Sequence, residues 1–524
     1  MDSKRNESLA SLTSYFAENT SMHGMSRWKG KPGFVRRAFW VLAVLTGAGV
    51  ALHNIWTIGV AYSMWKVSTV VSLEYKSELR FPAVTFCNLN SVKRTSIDDQ
   101  NEFDGLKTAL RYQNDSVPAE DEDFPDWEDS SVSYDTYDSD YQALVDFQKA
   151  LAVMKTPLQI RIGHQIKDML IECSFQGKVC KPSNFTHFYN YRHGNCYTFV
   201  PTGDYAFISK TGPIYGLSLM LYAEEQEYIS SLSSSVGFKV IVHNPKYMPF
   251  PEDEGFAISP GFATSTSISK VTVERVSAPY GKCKAYGPGV EEPPNIFTTQ
   301  VPNITYSDQT CKKTCLQKML VSRCGCCDNM YPCNRDALTI LNSSIDHDVG
   351  FCILHEETNA KCENVVWKKI ENNEMFCPDS CDPNCKEESH QLEMSAAMWP
   401  ASSHLPSLVD GFINRFTKKK KTPPINMNAS ADEKDTFFRR NMARLNVFYK
   451  ELKYQKIQTK PAYDWKSLLS DVGGQAGLWL GFSLLTLAEI LELIVDVVIH
   501  LCTKPFRSNK GHVNPVEKRD EIHF

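Results

Sequence analysis

The residues whose types and spacing could do chemistry gather in one stretch, Asp471 to Asp496. Four carboxylates stand there (Asp471, Glu489, Glu492 and Asp496), glycines recur at 473, 474, 477 and 481, and Gly481-Phe482-Ser483 lies near the middle. From Val472 to Ala488 no residue is charged, and the apolar run resumes around the two glutamates as far as Ile499. That length crosses a bilayer, which takes about 20 mostly apolar residues. An ionised carboxylate at such depth costs roughly 2.5–3.5 kcal/mol, so it faces protein or water rather than lipid. Glycines weaken a helix but let backbones approach closely. Catalysis does not suit this set. The Gly-x-Ser has no base nearby, and the chain holds neither His-Glu-x-x-His nor Gly-x-Ser-x-Gly. The expectation is a protein that is not an enzyme, whose C-terminal span lines a watery path for cations. A plain anchor with interfacial acids would leave the glycines unexplained.

A second apolar run must accompany it. Ala38 to about Met64 is apolar, with Trp40, Trp56 and Trp65 near its ends, as interface anchors would be. Arg27, Lys29, Lys31, Arg36 and Arg37 precede it, and Lys504, Arg507 and Lys510 follow the last span. Basic flanks stay in the cytosol, so both termini are expected there, with no cleavable signal peptide. The expected division is 1–37 cytosolic, 38–64 first span, 65–464 external, 465–500 second span and 501–524 cytosolic.

The cysteines agree with that topology. Sixteen of the 17 lie between Cys87 and Cys385, and only Cys502 falls outside, which reads as disulfides in an oxidising compartment. Zinc is the alternative for Cys324, Cys326, Cys327 and Cys333, but the cluster lacks paired knuckles and a histidine at ligand spacing, so no metal and no cofactor is expected. Sequons at Asn114, Asn184, Asn303, Asn342 and Asn428 fall in the same external part. Net charge is −5, with no basic stripe, so no nucleic-acid partner is expected.

Within the external part, Phe81 to Asn90 is a β-type run, and residues 97–141 carry fifteen Asp or Glu against Lys107 and Arg111. The acidic segment is either a solvated insert or an outward field that draws cationic ligands. Residues 142–171 regain helical spacing, and Cys173 to Cys180 reads as a small closed loop. Strand-like runs recur from Cys196 to Val276. Residues 306–320 read as a helix with Ser307 or Asp308 as N-cap. It puts Cys311 and Cys315 on one face, and Cys377 and Cys381 share their spacing. An antiparallel register pairs Cys311 with Cys381 and Cys315 with Cys377. Asn446 to Tyr454 is a last strand leading into the second span.

Several of these pieces together resemble the degenerin/epithelial sodium channel superfamily, which includes acid-sensing and FMRFamide-gated channels. They are His23-Gly24, Phe81-Pro-Ala-Val-Thr-Phe-Cys-Asn-Leu-Asn90, Cys196-Tyr-Thr-Phe, Tyr306 with Cys311 and Cys315, and Leu468 to Ser483. The resemblance implies a membrane protein with two transmembrane helices per subunit and a large disulfide-rich α+β ectodomain. That ectodomain is hand-like, with a β-rich palm and ball and a helical finger and thumb, in a homotrimer or heterotrimer. It also implies a plasma-membrane sodium pore blocked by amiloride. Carried over, Gly481, Phe482 and Ser483 are similar to the Gly-x-Ser selectivity filter, Ser470 to the degenerin position and Asp471 to the acidic outer ring. Glu489 and Glu492 are similar to acids below the filter that concentrate cations. His23 and Gly24 resemble the re-entrant motif under it, and Trp65 with Tyr280 an aromatic coupling to the first span. The remaining cysteines are assigned Cys87–Cys196, Cys173–Cys180, Cys283–Cys385, Cys324–Cys362, Cys326–Cys333 and Cys327–Cys352, with the pairing among Cys324, Cys326, Cys327, Cys333, Cys352 and Cys362 open.

Gating is read from what departs from that pattern. The paired carboxylates of acid-sensing members align with Ser230 to Ser235, and their histidine pair with Lys66-Val67. Proton gating needs groups that titrate in the working range. An amidated peptide with an arginine carries two positive charges, which the acidic segment suits. The expectation is a channel opened by a short amidated neuropeptide such as FMRFamide, with proton gating as the alternative. A disulfide-rich adhesion protein is the remote one, since it needs neither the filter residues nor intramembrane acids.

Overall fold

The structure, a computed structural model, describes residues 9–25, 27, 33–98, 106, 144, 147–229, 232–286, 290, 292–341, 349–352, 357–372, 374, 377, 381–419, 422–426 and 428–503. The chain divides into two compact units, Met1–Ser68 with Lys460–Phe524, and Thr69–Thr459.

The larger unit is built on two sheets. One runs in the order Lys386–Met398, Phe262–Glu274, Met442–Pro461, Leu217–Tyr222, Leu170–Phe175, Lys178–Val179. Phe262–Glu274 is antiparallel to Lys386–Met398 and parallel to Met442–Pro461. The other is antiparallel, in the order Phe256–Ile258, Phe238–His243, Ala83–Asn88, Gly194–Phe199, Phe185–Asn190. Successive side chains on a strand point to opposite faces, and Leu217–Tyr222 uses both. Leu217, Leu219 and Leu221 join Phe81, Phe86, Phe199, Phe238 and Val240 in the core between the sheets. Met220 and Tyr222 turn the other way, onto Leu408, Val409 and Phe412 of the helix Leu405–Lys418.

The helix expected near Tyr306 spans Asp308–Cys324. Ser307 caps it: its hydroxyl accepts from Thr310 N at 3.2 Å, and Thr310 Oγ1 accepts from Ser307 N at 3.2 Å. Gly325, at φ 67°, ends it. Cys311–Cys381 and Cys315–Cys377 form the two rungs along it, and Cys324–Cys362 ties its C-terminus to the helix Glu357–Glu371. Cys87–Cys196, Cys173–Cys180 and Cys283–Cys385 are also joined. Two expected pairings are corrected. Cys326 bonds Cys352 and Cys327 bonds Cys333, not Cys326–Cys333 and Cys327–Cys352. Adjacent extended residues point to opposite faces. The turn after Asp328 returns Cys333 to the face of Cys327, and the bridge between Cys327 and Phe351 leaves Cys352 to Cys326. With all four bonded, none of the cluster is a zinc ligand. Among the sequons, Asn184, Asn303 and Asn428 are exposed, while Asn114 and Asn342 lie outside the described residues.

In the smaller unit Phe34–Ser63 is a helix of 30 residues, about 45 Å long at 1.5 Å per residue. Among the described residues it is the one helix both long and apolar enough to cross a membrane. Its sides are bare apolar surface: Leu42 is 66 % exposed and Trp56 73 %. The C-terminal apolar run is instead two helices, Trp465–Leu480 and Leu484–Thr503, separated at 481–483.

Candidate functional site: a capped break between two helices

The break at 481–483 follows from two helix-end rules meeting in three residues. Gly481 closes the upper helix in the left-handed region, φ 69°, with its N–H on Gly477 O at 2.9 Å. A side chain there would be strained whatever the space. Ser483 opens the lower helix: its hydroxyl accepts from Thr486 N at 3.2 Å, and Thr486 Oγ1 accepts from Ser483 N at 3.1 Å. This is a reciprocal cap. A Gly-x-Ser motif thus ends one helix and starts the next, freeing the carbonyls between them from a continuous ladder.

The N-terminal segment closes on this break. His23 N donates to Leu480 O at 2.9 Å, and a Cβ on Gly481 would lie 2.6 Å from the His23 ring. Gly24, at φ 80°, would place a Cβ 2.8 Å from Val44. His23, Gly24, Gly481, Phe482 and Ser483 are therefore brought together. Glu489 joins them: its Oε2 accepts from Thr20 Oγ1 at 2.8 Å and Ser21 N at 3.0 Å. Glu492 is exposed, as are Ser470 and Asp471 on the upper helix. The Tyr463 hydroxyl donates to Asp471.

The long helix packs on the upper one at a small residue and through an amide pair. A Cβ on Gly47 would meet Trp479 O at 3.3 Å, and Asn54 Nδ2 donates to Gln475 Oε1 at 2.8 Å. Trp479 Nε1 reaches the same Gln475 oxygen at 3.2 Å. Such small-residue and amide contacts hold helices together where solvent supplies no hydrophobic drive. Thr20, Ser21, Thr486, Asn54 and Gln475 were not singled out from the sequence. Only the Ser-x-x-Thr spacing at 483–486 carried a signal, that of a helix start.

Trp65, expected as a coupling residue, stands at φ 47° where the chain leaves the long helix. Its ring lies 4.9 Å from that of Tyr62. Tyr280 is half-buried in the turn ending at Gly281, which the larger unit contains.

The larger unit holds a cavity of about 430 Å³ whose lining includes Tyr189, Tyr191, Phe250, Phe297, Tyr331 and Glu252. The Tyr189 hydroxyl is buried there without a hydrogen-bond partner among the described residues, and burial raises its pKa well above the usual range. Elsewhere in this unit, burial holds His193, His243 and His390 down at about 4. Burial raises Asp328 to about 6, against hydrogen bonds from Met330 N and Trp367 Nε1.

The family profile described as amiloride-sensitive sodium channel matches residues 16–493. The chain is similar to an FMRFamide-activated amiloride-sensitive sodium channel of Cornu aspersum, 25 % identical over 97 % of this chain and 85 % of that protein. It is likewise similar to the epithelial sodium channel subunit gamma of Rattus norvegicus, 25 % identical over 92 % of this chain and 81 % of that one. A degenerin-like protein of Caenorhabditis elegans is 29 % identical over 68 % of this chain and 37 % of its own length. From the helix break to the disulfide-rich unit, the chain belongs to the amiloride-sensitive sodium channel family, a family of ion channels and not of enzymes.

Proposed function

We propose that three copies of this chain assemble in the plasma membrane as a sodium-selective, amiloride-blocked channel opened by a short amidated peptide. Both termini are cytosolic, and the second span comprises Trp465–Leu480, the break and Leu484–Thr503. The observation that carries the reading is the capped break with His23 beneath it. Three such breaks around an axis present backbone carbonyls to a dehydrating sodium ion. Asp471 and Glu492, exposed in the single chain, are available to concentrate cations above and below. In this reading Trp65 and Tyr280 are the aromatic residues that couple gating from ectodomain to pore, and Ser470 stands where added bulk would hold the path open.

Peptide gating is supported by three observations. The FMRFamide-activated relative matches nearly the whole chain. The stretch 97–141 carries fifteen acids, and the aromatic-walled cavity beside Glu252 suits a ligand with aromatic side chains and an arginine. Proton gating is the second reading, favoured by the carboxyls that burial raises, Asp328 to about 6 and Glu254, while His193, His243 and His390 near pKa 4 stay neutral through the physiological range. The test is voltage clamp of cells expressing the full chain, with FMRFamide-type peptides and acid applied separately. Peptide-evoked sodium current blocked by amiloride is expected. Current to acid alone would replace peptide by proton gating.

A further inference from the structure

Thr486 is wholly buried although its neighbours Leu485 and Leu487 are 74 % and 44 % exposed. A threonine hydroxyl offers one donor and two acceptor sites, and this one is shared among three parts of the chain. It accepts from Ser483 N at 3.1 Å, lies 3.4 Å from Gly481 O, and sits 2.6 Å from Ser21 Oγ. Ser21 N and Thr20 Oγ1 in turn bind Glu489 one turn below. One hydroxyl thereby joins the N-cap of the lower helix, the carbonyl of Gly481 and the N-terminal segment.

We propose that Thr486 is a positioning residue that sets ion selectivity, by tying the geometry of the Gly481–Ser483 break to Ser21. Remove the hydroxyl and Ser483 N loses its acceptor while Ser21 Oγ loses its bond to the break, so the N-terminal segment is left held by Glu489 and by His23 N on Leu480 O. Glu489 is then a structural acceptor for that segment rather than an ion ligand. The selectivity part of this inference rests on the channel reading. The geometric part does not.

Two measurements on the full chain test it. In a Cys502→Ser background, Ser21→Cys with Thr486→Cys, treated in isolated membranes with the oxidant copper phenanthroline, should form a disulfide that blocks maleimide labelling of the denatured, unreduced protein. Ser21→Cys with Leu487→Cys should stay labelled. A Ser21/Thr486 pair that remains labelled overturns the proposal whether or not the chain conducts. For the second, Thr486→Val should lower the sodium-to-potassium permeability ratio about fivefold, the size of one buried hydrogen bond, with Thr486→Ser restoring it. Adding Ser21→Ala to Thr486→Val should change the ratio little further. An unchanged ratio in Thr486→Val, or equal loss in Thr486→Ser, overturns it. If the unaltered chain reaches the surface and passes no current, it is the channel reading that fails, and the cross-link alone decides the position of Thr486.

Discussion

The two units of this chain are stabilised by different physics. The unit Thr69–Thr459 has apolar cores and cystines: Phe81, Phe86, Leu219 and Val240 are almost wholly inaccessible, and eight disulfides brace it. The unit of Met1–Ser68 and Lys460–Phe524 buries little apolar surface, and its longest helix contributes only Gly47 and Ala51 as buried residues. It relies on helix caps, close glycine contacts and polar bridges such as Asn54–Gln475 and Thr20–Glu489. In water the first strategy suffices, because burying apolar area is itself the driving force. In lipid that force vanishes, and an unmade backbone hydrogen bond costs several kcal/mol, so the helix break survives only where every donor near it has a partner.

Breaking this contrast should hurt most at the break. Gly481→Val needs a left-handed φ costing roughly 1–2 kcal/mol and sets a side chain against the His23 ring. Sodium current should vanish while surface biotinylation of the channel persists. In the other unit, Cys311→Ser with Cys381→Ser removes a link across 70 residues and should cost about 2–5 kcal/mol, read as a lower unfolding temperature or lost surface delivery. A pH experiment sharpens the comparison further. The folded pKa of Asp328 is raised to about 6 by burial, so the folded state holds the proton more tightly than the unfolded one. The stability this supplies is present below the ordinary carboxylate range and is lost as pH rises through about 6. The purified protein should therefore gain about 1–3 kcal/mol of ectodomain stability from this group between pH 7.5 and pH 4, a gain that Asp328→Asn abolishes in thermal unfolding. The smallest effect should come from Asn54→Leu, about 0.6 kcal/mol for one interhelical amide contact. It would appear as faster thermal loss of amiloride binding in detergent, with the disulfide-rich unit unaffected.

Much of this was legible because local rules act on neighbouring residues. The long apolar helix, the cap at Ser307 and the alternation of Leu217, Leu219 and Leu221 each follow from spacing within one segment. The i, i+4 cysteines on two segments fixed a register, since only one antiparallel alignment joins both pairs. Adjacent cysteines carried no such constraint. At Cys326 and Cys327 the choice of partner depends on which face each side chain takes, and that is decided by the turn at Asp328 and the bridge to Phe351.

The helix break at 481–483 shows the same boundary. The amino-acid order alone dictated a charge-free run interrupted by Gly481 and Ser483, because helix-ending and helix-starting propensities are properties of single residues. It could not dictate that Thr20 and Ser21, 468 positions away from Glu489 in the case of Ser21, would occupy that carboxylate, or that His23 would fill the space a side chain on Gly481 needs. Those contacts join segments whose sequence separation carries no periodic signal, and only the folded chain, by bringing donors to acceptors that would otherwise go unmade, selects them.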